Sequence, residues 1–138
     1  MGSMLVGSRE AIDRARSFRK ALGGGMRQAG VLAAAGLIAL EEGPGLLAED
    51  HRNALVLADA VAAEPKLEID RAGVQTNIVI FSLKQGKSAA TLTAGLKAKG
   101  VLSSAIGPHA VRFVTHRDVD RAACERAASI LHEELQSL

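Results

Sequence analysis

Three consecutive glycines, Gly23 to Gly25, separate two helical patterns near the start of this chain. The pattern over residues 9–22 is amphipathic and basic, and Ser8 stands where a helix N-cap would be. The pattern that follows is strongly apolar and has Arg27 at its start. Because a helix N-terminus offers unpaired backbone N–H groups and an arginine offers a forked cation, this arrangement predicts a site for a phosphate or a carboxylate. Lys20, one turn before the glycines, would add a second positive charge.

A second interpretation of the glycine run stays open from the residues alone. Its spacing matches neither the dinucleotide-binding fingerprint nor the phosphate loop of nucleotide hydrolases. Three glycines between two helices are also typical of a flexible break. The sequence therefore indicates an anion site and a simple interhelical break as alternatives.

The composition restricts the class of protein. The chain has 138 residues, of which 48% are hydrophobic and 23% charged, so it is long enough to bury a core and is not expected to be disordered. The net charge is +2 and there is no Trp or Tyr, so we interpret the basic residues between 9 and 20 as a solvated helix face and expect no nucleic-acid partner. The apolar run over 29–40 is too short for a bilayer span, and Cys124 with the four histidines shows no metal-ligand spacing. We expect a cytoplasmic protein without a membrane segment or a metal site.

The chain changes from helical to mixed patterns along its length. A helix is predicted over 26–42, the Gly43–Pro44–Gly45 segment is interpreted as a break, and another helix follows to Ala63. The second half predicts a strand, a helix, two strands and a helix, over residues 76–83, 87–99, 101–105, 110–115 and 118–135. Thr115 and Asp118 form a candidate capping box for the last helix. A small sheet covered by helices buries such elements, so we predict an α/β (α+β) fold.

Small residues lie on several faces of the helix predicted after the glycines, at Gly30, Ala33, Ala34 and Gly36. A helix that is apolar all round is typically buried on all sides. The rest of the chain offers few elements to cover it. We therefore expect a partner subunit or further sequence to pack against this helix.

Arg112 stands between apolar residues in a predicted strand. Alternation places Arg112 and Val114 on one face of the sheet, with Val111 and Phe113 on the other. A buried arginine requires a carboxylate or phosphate partner, and its two parallel N–H groups suit a substrate carboxylate. A solvent-facing arginine on a one-sided sheet is the alternative, and the pattern alone leaves both open.

Two segments together resemble a known family. Residues 16–30, which contain the sequence GGGMRQ, and residues 111–116, VRFVTH, are similar to the second half of low-specificity threonine aldolases. The similarity continues through Gln75–Ile78 and covers essentially the whole chain. It implies fold type I of the pyridoxal-phosphate enzymes, with residues 1–43 from the large cofactor-binding domain and residues 44–138 as the C-terminal small domain. It also implies cleavage of β-hydroxy amino acids, threonine or allo-threonine, to glycine and an aldehyde.

The resemblance implies roles for individual residues. Arg112 is expected to bind the α-carboxylate of the amino-acid substrate. Arg27 and Lys20 are expected to lie near the phosphate of pyridoxal phosphate, at a site that reaches a neighbouring subunit. In the family the Schiff-base lysine lies just upstream of the segment that matches Gly2–Ser3, so we expect this chain to lack it and to have no covalently attached cofactor.

Two hypotheses of different classes follow from the resemblance. In the first, the chain contributes to a threonine-aldolase-like lyase but is inactive alone, and its partner is a homo-oligomer or a complementary N-terminal half. In the second, it is a non-catalytic oligomerisation or interaction module, or a degenerate gene product.

Overall fold

The computed structural model describes residues 4–138. These residues form four helices and four strands in the order α1 (Arg9–Ala21), α2 (Gly30–Ala62), β1 (Leu67–Glu68), β2 (Ile78–Leu83), α3 (Ala89–Ala98), β3 (Ser104–Ala105), β4 (Ala110–Val114) and α4 (Arg121–Ser137). The chain divides into two compact units, residues 1–44 and residues 45–138. The predicted succession of strand, helix, two strands and helix in the second half is confirmed. The strand β1 was not predicted, because two residues are too few to show a period.

The first helix begins and ends where the sequence predicts. The hydroxyl of Ser8 accepts a hydrogen bond from the backbone N–H of Ala11 at 3.3 Å, which caps α1. After the helix, Gly23 has φ 77°, a left-handed conformation that glycine adopts without steric cost. The N–H of Gly24 donates to the Arg19 carbonyl at 2.7 Å and closes the turn.

The second helix differs from the sequence-based prediction. α2 continues through the Gly43–Pro44–Gly45 segment, which was predicted to break it. Pro44 has no N–H to donate to the Leu40 carbonyl, and glycines favour a helix weakly. These costs are local, whereas the last turns of α2 are held by packing, since its residues Asp50, Asn53, Ala54, Leu57, Ala58 and Val61 are buried. Tertiary contacts therefore outweigh the local preference for a break.

A four-stranded antiparallel sheet forms the centre of the second unit, with the strand order β1-β2-β4-β3. In the longest pairing Ile80 of β2 lies opposite Arg112 of β4. On the other side of β4, Ser104 of the short edge strand β3 lies opposite the same arginine. Arg112 is therefore at the middle of a row that crosses three strands.

Within the described part of the second unit, helices cover one face of this sheet. The side chains on the covered face are buried with residues of α2, α3 and α4, and they include Leu67, Val79, Phe81, Leu83, Val111 and Phe113. On the other face, which we call the open face, Ile78, Ile80 and Val114 are exposed. The alternation predicted for β4 is thus confirmed, with Val111 and Phe113 buried and Arg112 on the open face.

The last helix begins later than predicted and has a different cap. Asp120 is the N-cap of α4, and its carboxylate accepts a hydrogen bond from the Ala123 N–H at 2.7 Å. The predicted capping box of Thr115 and Asp118 does not form. Its threonine is already engaged, because the Thr115 hydroxyl donates to the backbone carbonyl of Asp50 at 2.7 Å.

Because α2 is continuous, its apolar part is longer than the run over 29–40 that the sequence indicates. Within residues 4–138 one helix, α2, is long and apolar enough to cross a membrane, with a mean hydropathy of 1.5 over a window that is 0% buried. The sequence-based expectation considered only the shorter run over 29–40. A helix that packs against other parts of a larger protein meets the same criterion of length and composition, so this property alone does not establish a membrane segment.

We predict that Pro44→Ala strengthens the middle of α2. The new N–H can donate to the Leu40 carbonyl, and removal of the ring relieves a clash, which should raise the local free energy of opening by about 1–3 kcal/mol. Hydrogen exchange of the amides at 42–48 measures this as slower exchange. Pro65→Ala, outside the helix, is the matched control and should leave these amides unchanged. Equal exchange in Pro44→Ala and the parent chain would contradict a continuous α2.

Candidate functional site

Basic side chains surround the turn that follows α1. A surface cavity in the first unit is lined by Arg16, Ser17, Arg19, Lys20, Gly23, Gly25 and Arg27. Lys20 and Arg27, which the sequence analysis placed at one anion site, are thus brought together here. We call this the glycine-turn cavity.

The chemistry of the lining fits a phosphate. Four of the lining side chains are cationic, none is acidic, and Ser17 adds a hydroxyl. A side chain placed on Gly23 or Gly25 would meet no other atom within 4 Å, so the backbone of the turn is open to a ligand. Arg16 is partly engaged by Asp13 at 3.3 Å, but both side chains are largely exposed and such pairs are weak. The residues present therefore suit the phosphate of pyridoxal phosphate.

The start of α2 departs from the prediction that led to this site. The helix begins at Gly30 rather than at Met26, so Arg27 lies in a turn and not in the first turn of the helix. Gln28 in that turn has φ 51°, a left-handed conformation that costs a residue with a side chain about 1–2 kcal/mol. The positive charge of this cavity therefore comes from side chains rather than from a helix N-terminus. No pattern in the sequence indicated the strained Gln28.

Arg112 occupies the open face of the second unit and is half-buried. Its Nε atom is shielded from solvent and has no hydrogen-bond partner among the residues that the structure describes. A buried donor without a partner costs about 1–3 kcal/mol. Exposed aliphatic side chains of Ile80 and Val114 lie on the same face. Arg112 is therefore a half-buried cation whose Nε is unsatisfied and whose neighbours on the open face are aliphatic.

A group of hydrogen bonds at the end of β4 was missed by the sequence analysis. The N–H of Thr115 donates to the Asn77 carbonyl at 2.9 Å, and the Asn77 side-chain amide donates to the Thr115 carbonyl at 2.8 Å. The Thr115 hydroxyl reaches the Asp50 carbonyl in α2, and Asn53 of the same helix donates to the Val119 carbonyl at 3.1 Å. We call Thr115, Asn77 and the Asp50 carbonyl the β4 clasp. Because its members are 38 and 65 residues apart in sequence, no local pattern could reveal it.

The lysines and potential metal ligands add little chemistry in the described part of the chain. The Lys99 ammonium group donates to the carboxylates of Glu133 and Glu134, each at 3.0 Å. These contacts raise the pKa of Lys99, so this amine stays protonated and is not a nucleophile. Across residues 4–138 no group of three or more His, Cys, Asp or Glu side chains is arranged to hold a metal ion.

Cys124 lines a separate cavity of about 340 Å³ in the second unit, beside α4 and the end of β4. The residue is 0% exposed. Burial raises the pKa of its thiol, and Asp120 and Glu125 raise it further while Arg121 opposes them. Because the thiolate is the reactive form, this cysteine is a packing residue.

Comparison with known proteins places this arrangement in a family. The family profile described as beta-eliminating lyase matches residues 1–84. The chain belongs to the beta-eliminating lyase family. This family is dependent on pyridoxal phosphate.

Several curated relatives are similar over most of the chain. It is 41% identical over 129 residues to the low specificity L-threonine aldolase of Escherichia coli (strain K12), covering 94% of this chain and 37% of that protein. It is 36% identical over 139 residues to the probable low-specificity L-threonine aldolase 2 of Arabidopsis thaliana, covering 99% and 39%. The alanine racemase TOXG of Cochliobolus carbonum is 32% identical over 145 residues, covering 99% and 36%. The chain therefore spans well under half the length of the curated relatives it matches.

Solved structures confirm the predicted fold class. The α-aminoadipate aminotransferase LysN of Thermus thermophilus, in complex with N-(5'-phosphopyridoxyl)-L-leucine, gives a TM-score of 0.55 at 17% identity, covering 78% of this chain and 30% of that one. MppP, soaked with the product 2-ketoarginine, gives a TM-score of 0.55 at 16% identity, covering 64% and 27%. At these identities the likeness shows the fold alone, which is fold type I of the pyridoxal-phosphate-dependent aminotransferases.

We predict that Cys124 is protected from alkylation. Near neutral pH, iodoacetamide should modify the native chain at least about a hundredfold more slowly than the chain in concentrated guanidinium chloride, because the thiol is buried and neutral. Mass spectrometry measures the rate. Ser129→Cys in a Cys124→Ala background provides an exposed cysteine on the same helix and should react at the unfolded rate.

The raised pKa of Cys124 also fixes the sign of a pH effect. A group whose pKa is higher in the folded than in the unfolded state stabilises the fold. This stabilisation is fully present below the unfolded-state pKa and is lost as the pH rises through the folded-state pKa. The fall in stability above about pH 8.5 should therefore be smaller in Cys124→Ala than in the parent chain. Rapid native alkylation or a steeper alkaline fall in Cys124→Ala would contradict the described burial.

Proposed function

We propose that this chain forms part of a pyridoxal-phosphate-dependent lyase that cleaves β-hydroxy amino acids of the threonine type to glycine and an aldehyde. The observation that carries the proposal is the placement of Arg112, half-buried on the open face of the sheet and with no hydrogen-bond partner for its Nε among residues 4–138. The threonine aldolases among its relatives support the reaction class. In this proposal residues 1–43 belong to the large domain and residues 44–138 form the small domain.

Arg112 would bind and orient the substrate. The fork of a guanidinium group forms two parallel hydrogen bonds to a carboxylate, which fixes the plane as well as the position of the ligand. The neighbouring Ile80 and Val114 reduce the access of water and so strengthen the interaction. Held in this way, the α-carboxylate would fix the orientation of the Cα–Cβ bond that is cleaved.

Arg27 and Lys20 would hold the cofactor phosphate in the glycine-turn cavity. Pyridoxal phosphate, when bound, supplies the electron sink for the negative charge that bond cleavage leaves on Cα. The chain covers 34–39% of its threonine aldolase relatives. We therefore propose that the remaining catalytic groups, including the covalent lysine, come from residues outside this sequence, and that this chain alone is inactive.

The alternative, a non-catalytic oligomerisation module, has one observation in its favour. The first half of α2 exposes a series of large aliphatic side chains, namely Val31, Leu32, Leu37, Ile38, Leu40, Leu46 and Leu47. Such a surface is typical of a region that packs against a partner. It is equally expected of the lyase hypothesis, in which a homo-oligomer or a complementary N-terminal half covers it.

We predict that Arg112→Met stabilises the chain while it abolishes carboxylate binding. Removing an unsatisfied buried donor from an apolar face should raise the free energy of unfolding by about 1 kcal/mol, as measured by urea denaturation. In the parent chain, titration with glycine should shift the Arg112 Nε–Hε signal in the NMR spectrum, and in the variant all glycine-dependent shifts around β4 should disappear.

Arg71→Met is the matched control for the gain in stability and the loss of glycine binding expected of Arg112→Met. Arg71 is already paired with Asp59 at 2.5 Å, and this hydrogen bond raises its guanidinium pKa. The control should neither stabilise the chain nor change glycine binding. A parent chain that forms a stable oligomer by light scattering but shows no glycine-dependent shift would favour the module instead.

We predict that Arg27 determines phosphate binding in the glycine-turn cavity. Pyridoxine phosphate carries the cofactor phosphate without the aldehyde that reacts with surface lysines, so it is the appropriate probe. Arg27→Gln should weaken its binding about tenfold by calorimetry, and Lys20→Gln should weaken it less, because a guanidinium group makes two hydrogen bonds to a phosphate. Arg52→Gln, an exposed arginine of α2, is the control. Equal affinity in Arg27→Gln and Arg52→Gln would show that the phosphate does not bind here.

A further inference from the structure

We propose that Thr115 and Asn77, through the β4 clasp, are positioning residues that set the orientation of Arg112. This inference rests on the proposed function, because it assumes that Arg112 binds the carboxylate of an amino acid. Neither residue is proposed to touch that ligand. Each acts through the backbone of β4.

Every polar group of Thr115 is used within the clasp. Its N–H and its carbonyl are both bonded to Asn77, and its hydroxyl is bonded to Asp50 of α2. The residue is 0% exposed, so none of these bonds can be replaced by water. The backbone at residue 115 is therefore fixed both to the start of β2 and to the helix below the sheet.

Within the described part of the chain, the side chain of Arg112, unlike its backbone, has no partner that would hold it in place. Its Nε makes no hydrogen bond within residues 4–138, so the side chain is not held by a protein partner. On one side its strand is bordered only by β3, which is two residues long. The direction of the Cα–Cβ bond of Arg112 is then set by the backbone of β4, which pairs with β2 and β3 at Arg112 and whose end the clasp holds three residues away.

The polar character of the clasp is itself informative. Position 115 is fully enclosed, and a valine of the same shape would fill it without a buried hydroxyl. Buried hydrogen bonds are directional, whereas apolar packing tolerates small shifts. A hydroxyl at this position thus fixes the position of β4 relative to α2. A guanidinium group that forms two hydrogen bonds to one carboxylate requires such a fixed position.

The test compares Thr115→Val with Thr115→Ser. The first removes the hydroxyl at constant shape, and the second keeps it. Glycine is titrated into each variant and followed at the Arg112 Nε–Hε signal, which is assigned from its loss in Arg112→Lys. Thr115→Val should weaken glycine binding at least about threefold and shift the Arg112 signal before glycine is added, whereas Thr115→Ser should stay close to the parent chain.

Two controls separate positioning from general stability. Thr93→Val removes a hydroxyl that donates to the Ala90 carbonyl at 3.1 Å in α3, away from the clasp. Leu96→Val weakens the core in the same helix, at a position outside β4 and the clasp. Both should bind glycine as the parent chain does, even where they lower the urea midpoint. If Thr115→Val does not fold, Asn77→Ala replaces it, since it removes only the amide that reaches the Thr115 carbonyl.

The possible outcomes are distinct. If Thr115→Val binds glycine as Thr93→Val does, or if Thr115→Ser is impaired equally, the clasp does not position Arg112 while the proposed function stands. If Leu96→Val weakens binding as much as Thr115→Val, the effect is one of stability and the inference is wrong. If the parent chain shows no glycine-dependent shift at Arg112, the proposed function and the inference both fail.

Discussion

The arrangement of the second unit depends on a sheet that buries only one of its faces. Helices cover the face that carries Phe81 and Phe113, whose ring centroids are 5.2 Å apart, and alternation sends every second side chain to the opposite side. A shift of one residue in the register of β4 would exchange Arg112 with a neighbouring core position. The hydrophobic pattern of the strand therefore determines the core and the placement of the arginine at the same time.

Features that depend on short spacings could be predicted from the sequence. The serine cap of α1 follows from the hydroxyl at the N-cap, and the faces of β4 follow from a period of two residues. The glycine turn was also predicted, together with Lys20 and Arg27, two of the four cations that line it. In each of these cases the physical cause lies within a few residues of its effect.

Features that depend on distant contacts could not be predicted in this way. The break expected at Gly43–Gly45 was wrong, because packing of the end of α2 outweighs weak local helix propensity. The capping box at Thr115 was wrong for a related reason. Its hydroxyl bonds to a carbonyl 65 residues away, and Asp120 caps α4 instead. The unpaired Nε of Arg112 likewise becomes visible only when the sheet and its neighbours are in place.

The relatives of this chain are named for more than one reaction of amino acids. They include threonine aldolases and an alanine racemase at similar identity, so likeness to the family is compatible with more than one reaction at an amino acid. Arg112 and the glycine-turn cavity would bind a carboxylate and a phosphate, groups that do not depend on what happens at Cβ. In our proposal these residues hold the substrate carboxylate and the cofactor phosphate, which such reactions have in common. Other residues would determine which reaction takes place.

The isolated charge on the open face also has a consequence for the solution behaviour of the protein. Ile78, Ile80 and Val114 would otherwise present a continuous aliphatic surface on which two sheets could stack. With Arg112 at its centre, such stacking would bring two like charges together in an environment without water, which is strongly unfavourable. The guanidinium group that we propose as the carboxylate-binding group therefore also opposes self-association of this face.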